Sequence, residues 1–86
     1  MIRIKCFGHI KTSLGAEEIV LNLVEIRTSQ LIEKLRGMAR HDQNLGFTKF
    51  NTLVIVNDGE AFTAAADDRM IRDGDSVLLL PFSHGG

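Results

Sequence analysis

Apolar and charged residues alternate at the start of the chain. Ile2-Arg3-Ile4-Lys5-Cys6 has the period of two that predicts a strand with one face on a core. That strand is expected to run to about His9, and Lys11-Thr12-Ser13-Leu14-Gly15-Ala16 reads as a turn or loop. Residues 17–24 alternate again, with Ile19, Leu21 and Leu23 on one side and Glu18, Val20 and Asn22 on the other, so a hairpin with the first strand is the simplest topology. From Thr28 or Ser29 the period lengthens. Leu31, Ile32, Leu35, Met38 and Ala39 recur at three- and four-residue steps opposite Glu33, Lys34, Arg36 and Arg40, which predicts an amphipathic helix. Thr28 or Ser29 is the expected cap; neither has Glu or Gln three residues on, so no reciprocal capping box is expected.

Residues 41–51 read as a polar connection with Leu45, Phe47 and Phe50 as apolar anchors. Leu53-Val54-Ile55-Val56-Asn57 predicts a strand, Asp58-Gly59 a tight turn, and Ala61-Phe62-Thr63 a short edge strand. Residues 64–70 show no clean period. Asp73-Gly74-Asp75 is a second turn signal before a last strand over residues 76–82, in which Pro81 ends regular ladder bonding. Both late strands are apolar on both faces, as central strands are. One helix covers one face of a sheet, so the expected fold is α+β in two layers: a mixed sheet of four or five strands packed on one main helix. A crossover through that helix makes the first and last strands central neighbours, the β-grasp arrangement. Residues 1–86 are expected to form a single domain with a flexible tail over 82–86.

Composition narrows the functional classes. The chain has 86 residues and a formal net charge of −1, with no basic excess of the kind a nucleic-acid binder uses. A single cysteine, Cys6, excludes an internal disulfide framework, and no apolar run approaches membrane-spanning length. A cytoplasmic protein with no membrane or nucleic-acid partner is expected. A domain of this size buries only about 60 to 65% of its unfolded surface, which leaves little stability for an internal cofactor cavity. No bound cofactor and no metal are expected.

Catalytic constellations are thin. Cys6 is in register with Ile2 and Ile4 and reads as a core residue; His9 and His41 have no evident partner. Ser83 and His84 lie on a glycine-ended tail with no third group to orient them. Asp67, Asp68, Asp73 and Asp75 lack the spacing of a calcium loop and read as turn residues. The chain is expected not to be an enzyme. The sheet face that the helix leaves open is a candidate docking patch for other proteins. Its candidate residues are Phe7, Phe62, Val54, Val56, Val77 and Leu79, with the alternate positions of the two late strands as the other choice; cover by the 41–51 connection is the competing account.

The remaining unusual feature is Gly85-Gly86 directly after the most apolar strand. Two glycines run extended through a channel too narrow for larger residues and present a carboxylate to a distant active site. Taken with Val54-Ile55-Val56-Asn57 and Gly59-Glu60, then Ile71-Arg72-Asp73-Gly74-Asp75-Ser76-Val77-Leu78-Leu79-Leu80-Pro81, that pair resembles the ubiquitin-like sulfur-carrier family. The family includes the small subunit of molybdopterin synthase and the thiamine-pathway sulfur carrier. Asp58 between Asn57 and Gly59, and His84 at a site that is usually small, depart from the family pattern.

The resemblance implies that Gly86 is adenylated by a ubiquitin-activating-type adenylyltransferase that uses ATP, then converted to a thiocarboxylate. Sulfur would come from a desulfurase or rhodanese-like donor and pass to an acceptor synthase. Pro81, Phe82, Ser83, His84 and Gly85 would set the tail's exit and reach. The alternatives are a ubiquitin-like modifier conjugated through Gly86 and a plain β-grasp binding module.

Overall fold

In the computed structural model, which describes residues 1–39 and 46–82, the first strand follows its alternation. β1 (Ile2–Cys6) buries Ile2, Ile4 and Cys6 and exposes Arg3 and Lys5. It does not continue to His9. Gly8 takes φ +59, which turns the chain out of the strand, and a helix α1 (Gly8–Leu14) follows where a loop was expected. Its signal is the pair Ile10 and Leu14, one turn apart and both buried, ahead of Gly15, which caps the helix at φ +70 with its N–H on the Lys11 carbonyl at 2.9 Å.

β2 (Glu18–Leu21) pairs antiparallel with β1, from Lys5↔Glu18 to Ile2↔Leu21. The alternation is as expected, but the single strand over residues 17–24 is not. Pairing with β1 runs out at Leu21, and the chain forms a separate strand β3 (Glu25–Arg27) before α2 (Thr28–Met38). After the connection come β4 (Thr52–Val56), β5 (Met70–Arg72) and β6 (Ser76–Pro81). The main sheet has the order β2-β1-β6-β4, with β1 and β6 parallel and the other pairs antiparallel, as the crossover argument requires. β3 and β5 form a separate two-stranded sheet, and β5 was invisible in the aperiodic stretch before it. The edge strand expected at residues 61–63 reduces to one bridge, Phe62 with Val54.

The core lies between this sheet and the helices. Leu31, Ile32 and Leu35 of α2 and Ile10 of α1 are fully buried with Ile2, Ile4, Cys6, Val54, Ile71 and Leu79. Phe47 anchors the connection in this core at 1% exposure, whereas Phe50 is 59% exposed and anchors nothing there. Leu45 and His41 lie outside the described residues.

The helix cap comes from elsewhere than expected. Arg27 occupies the cap position, its N–H donates to the Gln30 side chain at 3.2 Å, and neither the Thr28 nor the Ser29 hydroxyl caps. Thr28 is buried and its hydroxyl donates to the Arg69 carbonyl at 2.6 Å. The free N–H of Ser29 and its hydroxyl both donate to Asp68, each at 2.8 Å, across 39 residues of sequence. These bonds, with Arg27 and Lys49 nearby, hold the Asp68 carboxyl below its ordinary value.

A depressed carboxylate pKa adds stability that is complete above the unfolded value of about 3.9 and is lost as pH falls through the folded one. Asp68→Ala is expected to cost on the order of 1 kcal/mol in urea denaturation at pH 7, the usual worth of a helix cap. The gap from the parent narrows as pH drops below about 4; an undiminished gap there would contradict the carboxylate cap.

Candidate functional site

The register decides which side chains the open sheet face presents. Lys5 pairs with Leu78 and Glu18, and Leu78 with Ile55, so Glu18, Lys5, Leu78 and Ile55 form one row. Val20, Arg3 and Ser76 form the next, and Leu53 with Leu80 a third. Leu53, Ile55, Leu78 and Leu80 are half-buried. The face is therefore apolar over β4 and β6 and charged over β1 and β2, where Arg3 meets Glu18 at 3.3 Å beside a shallow groove lined by Arg3, Lys5, Glu18, Ser76 and Leu78.

This corrects the expected patch. Val54, Val77, Leu79 and Phe62 are buried on the helix side, and Val56 is partly buried against the same core. Of the six candidates only Phe7, at 38%, is exposed. The alternates take the outward positions because Ile4 and Cys6 must face the helices, and their partners Val77 and Leu79 share their side of the sheet.

Two turns at one end of the sheet are joined by side chains. Asn57 donates through Nδ2 to Asp75 at 2.9 Å and accepts the Ser76 N–H at 2.9 Å, while the other Asp75 oxygen accepts the Arg72 N–H at 2.8 Å. Positive φ falls at Asn57 (+50) and Asp58 (+62), one residue earlier than the expected Asp58-Gly59. Asn and Asp tolerate this region, and the Gly59 N–H closes the turn on the Val56 carbonyl at 3.0 Å. Asp58, a departure from the family pattern, is thus a turn residue.

At the other end β6 leaves the sheet. The Phe7 N–H donates to the Leu79 carbonyl at 3.1 Å, after which β1's chain turns away at Gly8 while β6 continues to Pro81. The Phe82 N–H donates to the Asn51 carbonyl at 2.8 Å. Ser83, His84, Gly85 and Gly86 lie outside the described residues.

The other chemical candidates are structural. Asp67 pairs with Arg69 at 2.7 Å, Asp68 caps α2, Asp73 binds the Met1 amine, and Asp75 joins the turns. Among the described residues no cluster of His, Cys, Asp and Glu could hold a metal ion. His9 is exposed on α1. Cys6 is fully buried, and burial pushes its thiol up to about 11. No helix among the described residues is long and apolar enough to cross a membrane.

A mixed sheet with the first and last strands parallel at its centre, and one long helix packed on one face, is the β-grasp fold of ubiquitin-like proteins. Solved structures that share it include molybdopterin converting factor subunit 1 from Pyrococcus furiosus, with 22% identity, a TM-score of 0.67 and cover of 95% of this chain and 97% of that one. Small archaeal modifier protein 1 from Haloferax volcanii is 19% identical with a TM-score of 0.65, over 95% of this chain and 97% of that one. Its namesake from Methanosarcina acetivorans is 14% identical at 0.65, over 99% and 95%. No protein-family model matches the sequence, and no curated protein matches it.

With a thiol pKa of about 11, Cys6 is expected to react with a thiol-specific reagent at pH 8 at least about a hundredfold more slowly in the folded protein than in denaturant. Comparable rates in the two states would place the thiol outside the core.

Proposed function

We propose that this chain is a ubiquitin-like sulfur carrier whose reactive group is the Gly86 carboxylate. The observation that carries the reading is the placement of Gly85-Gly86 in the sequence directly after β6, the central strand of a β-grasp sheet. A carboxylate is inert as an acyl donor, so a partner must activate it. In an adenylyltransferase of the ubiquitin-activating type, a Gly86 oxygen attacks the α-phosphorus of ATP and pyrophosphate leaves. Sulfur at the hydrosulfide level, supplied by a desulfurase or rhodanese-like donor, then attacks the acyl carbon and AMP departs. The resulting thiocarboxylate passes its sulfur to an acceptor synthase. The domain itself needs no cofactor for this; the core and caps hold a rigid handle, and the Leu53, Ile55, Leu78 and Leu80 face docks the partners.

A second reading is favoured by the structural likeness to two small archaeal modifier proteins. The same acyl adenylate would then be passed to a lysine amine, giving an isopeptide. The two readings share the first step and part at the nucleophile.

Intact-mass spectrometry after incubation with such an activating enzyme, ATP and sulfide separates them. A carrier gains about 16 Da as one oxygen is replaced by sulfur, a modifier gives covalent protein adducts, and a binding module is unchanged. Deleting Gly86 is expected to abolish the product; an unchanged yield contradicts both acyl readings. Leu78→Asp, at the centre of the open face, is expected to weaken binding to the activating enzyme by about tenfold or more with the fold intact, as loss of a central interface anchor does. Unchanged affinity would remove this face from the docking account.

A further inference from the structure

The last described residues of the chain are held from both sides. On one side Gly8 lies against the Pro81 ring. A Cβ at position 8 would stand 2.7 Å from Pro81 Cγ and 3.3 Å from its Cδ, a distance that side-chain atoms do not share, and Gly8 is at φ +59 besides. On the other side the Phe82 N–H bonds to the Asn51 carbonyl. Asn51 is itself fixed, since its side-chain oxygen accepts the Thr48 N–H at 2.6 Å. The Pro81 ring locks its own backbone φ, so the ring's seat and the Phe82 bond together define the direction in which the chain proceeds.

We propose that Gly8 is a positioning residue for the carboxyl-terminal chemistry: its missing side chain lets Pro81 seat against the start of α1, and this seat aims the following residues at the partner's activating site. The inference rests on the carrier or modifier reading of Gly86, and it assigns a role to a residue far from that carboxylate in sequence. A proline held only by the β4 ladder would be free to swing on its other side. A body that docks correctly but delivers its end off line loses rate rather than affinity, because small misplacements of the reacting group are costly.

The test compares the parent chain with Gly8→Ala, Pro81→Ala and the double variant. Backbone strain at position 8 is common to Gly8→Ala and the double variant, whereas the overlap with the ring exists only in the single one, so the ring's contribution is isolated by the cycle. Hydrogen exchange at the Phe82 amide reads the seat with no partner present. Gly8→Ala is expected to lower its protection by about tenfold or more while the amides of Ile4 and Leu78 keep theirs, with protection returning in the double variant. Should Gly8→Ala fail to fold, the folded double variant keeping Phe82 protection near the parent's supports the seat; loss of protection there overturns it.

Pyrophosphate release with the activating enzyme then reads the consequence. Gly8→Ala is expected to lower kcat by about ten- to a hundredfold with KM within about twofold, and the double variant to recover most of the loss. Undisturbed Phe82 protection in Gly8→Ala, a double variant no better than the single, or loss confined to KM would each overturn the assignment. A parent chain that releases no pyrophosphate refutes the reading of Gly86 and with it the positioning role, while the exchange data still report whether Gly8 seats Pro81.

Discussion

The parallel pairing of β1 with β6 is the contact on which the remainder depends. Ile4 opposite Val77 and Cys6 opposite Leu79 place four buried side chains on one face at the middle of the sheet. Burying each large aliphatic residue is worth about 1.5–3 kcal/mol, so slipping this register by one residue would expose that set and bury Lys5 and Arg3 in its place. Parallel neighbours cannot be joined by a tight turn, so the intervening chain must cross over, and α2 covers the buried face as it does so.

Polar contacts act at the margins of this core and join segments distant in sequence. Asp68 reaches the start of α2, Thr28 ties the same turn to the chain just before β5, and Asn57 with Asp75 binds the two turns at one end of the main sheet. Each satisfies backbone groups that strand and helix ends leave open. Surface pairs such as Arg72 with Glu25 at 3.4 Å add little by comparison, since both partners are exposed.

The chemistry available to the body is correspondingly small. Its thiol is buried and protonated, and the aspartates most suggestive of a site are occupied as structural acceptors. That division suits a protein acted on at its end by others: the fold offers a half-apolar, half-charged sheet face and a defined departure of β6 between Gly8 and Asn51. The likeness to the solved β-grasp structures, at 14–22% identity, is one of fold, and the assignment of the carboxyl-terminal reaction stands on the proposal above.

Periodicity alone determined much of this architecture. The alternation of β1 and β2, the helical stripe of Leu31, Ile32 and Leu35, and the central place of the first and last strands follow from where apolar side chains must go. What it could not decide was the facing of β4 and β6, because a strand apolar on both sides has no preferred face until its neighbour's register is known. That neighbour is β1, distant in sequence. Helix α1 is too short to establish a period, β5 has only Ile71 fully buried, and the cap on α2 comes from Asp68 on a later segment. The seat of Pro81 against Gly8 likewise exists only once the two ends of the chain lie side by side. Local residue pattern thus determined element type and the central strands, while the outward face and the path by which the chain leaves the sheet were decided by long-range pairing, whose energy depends on partners that no sequence window contains.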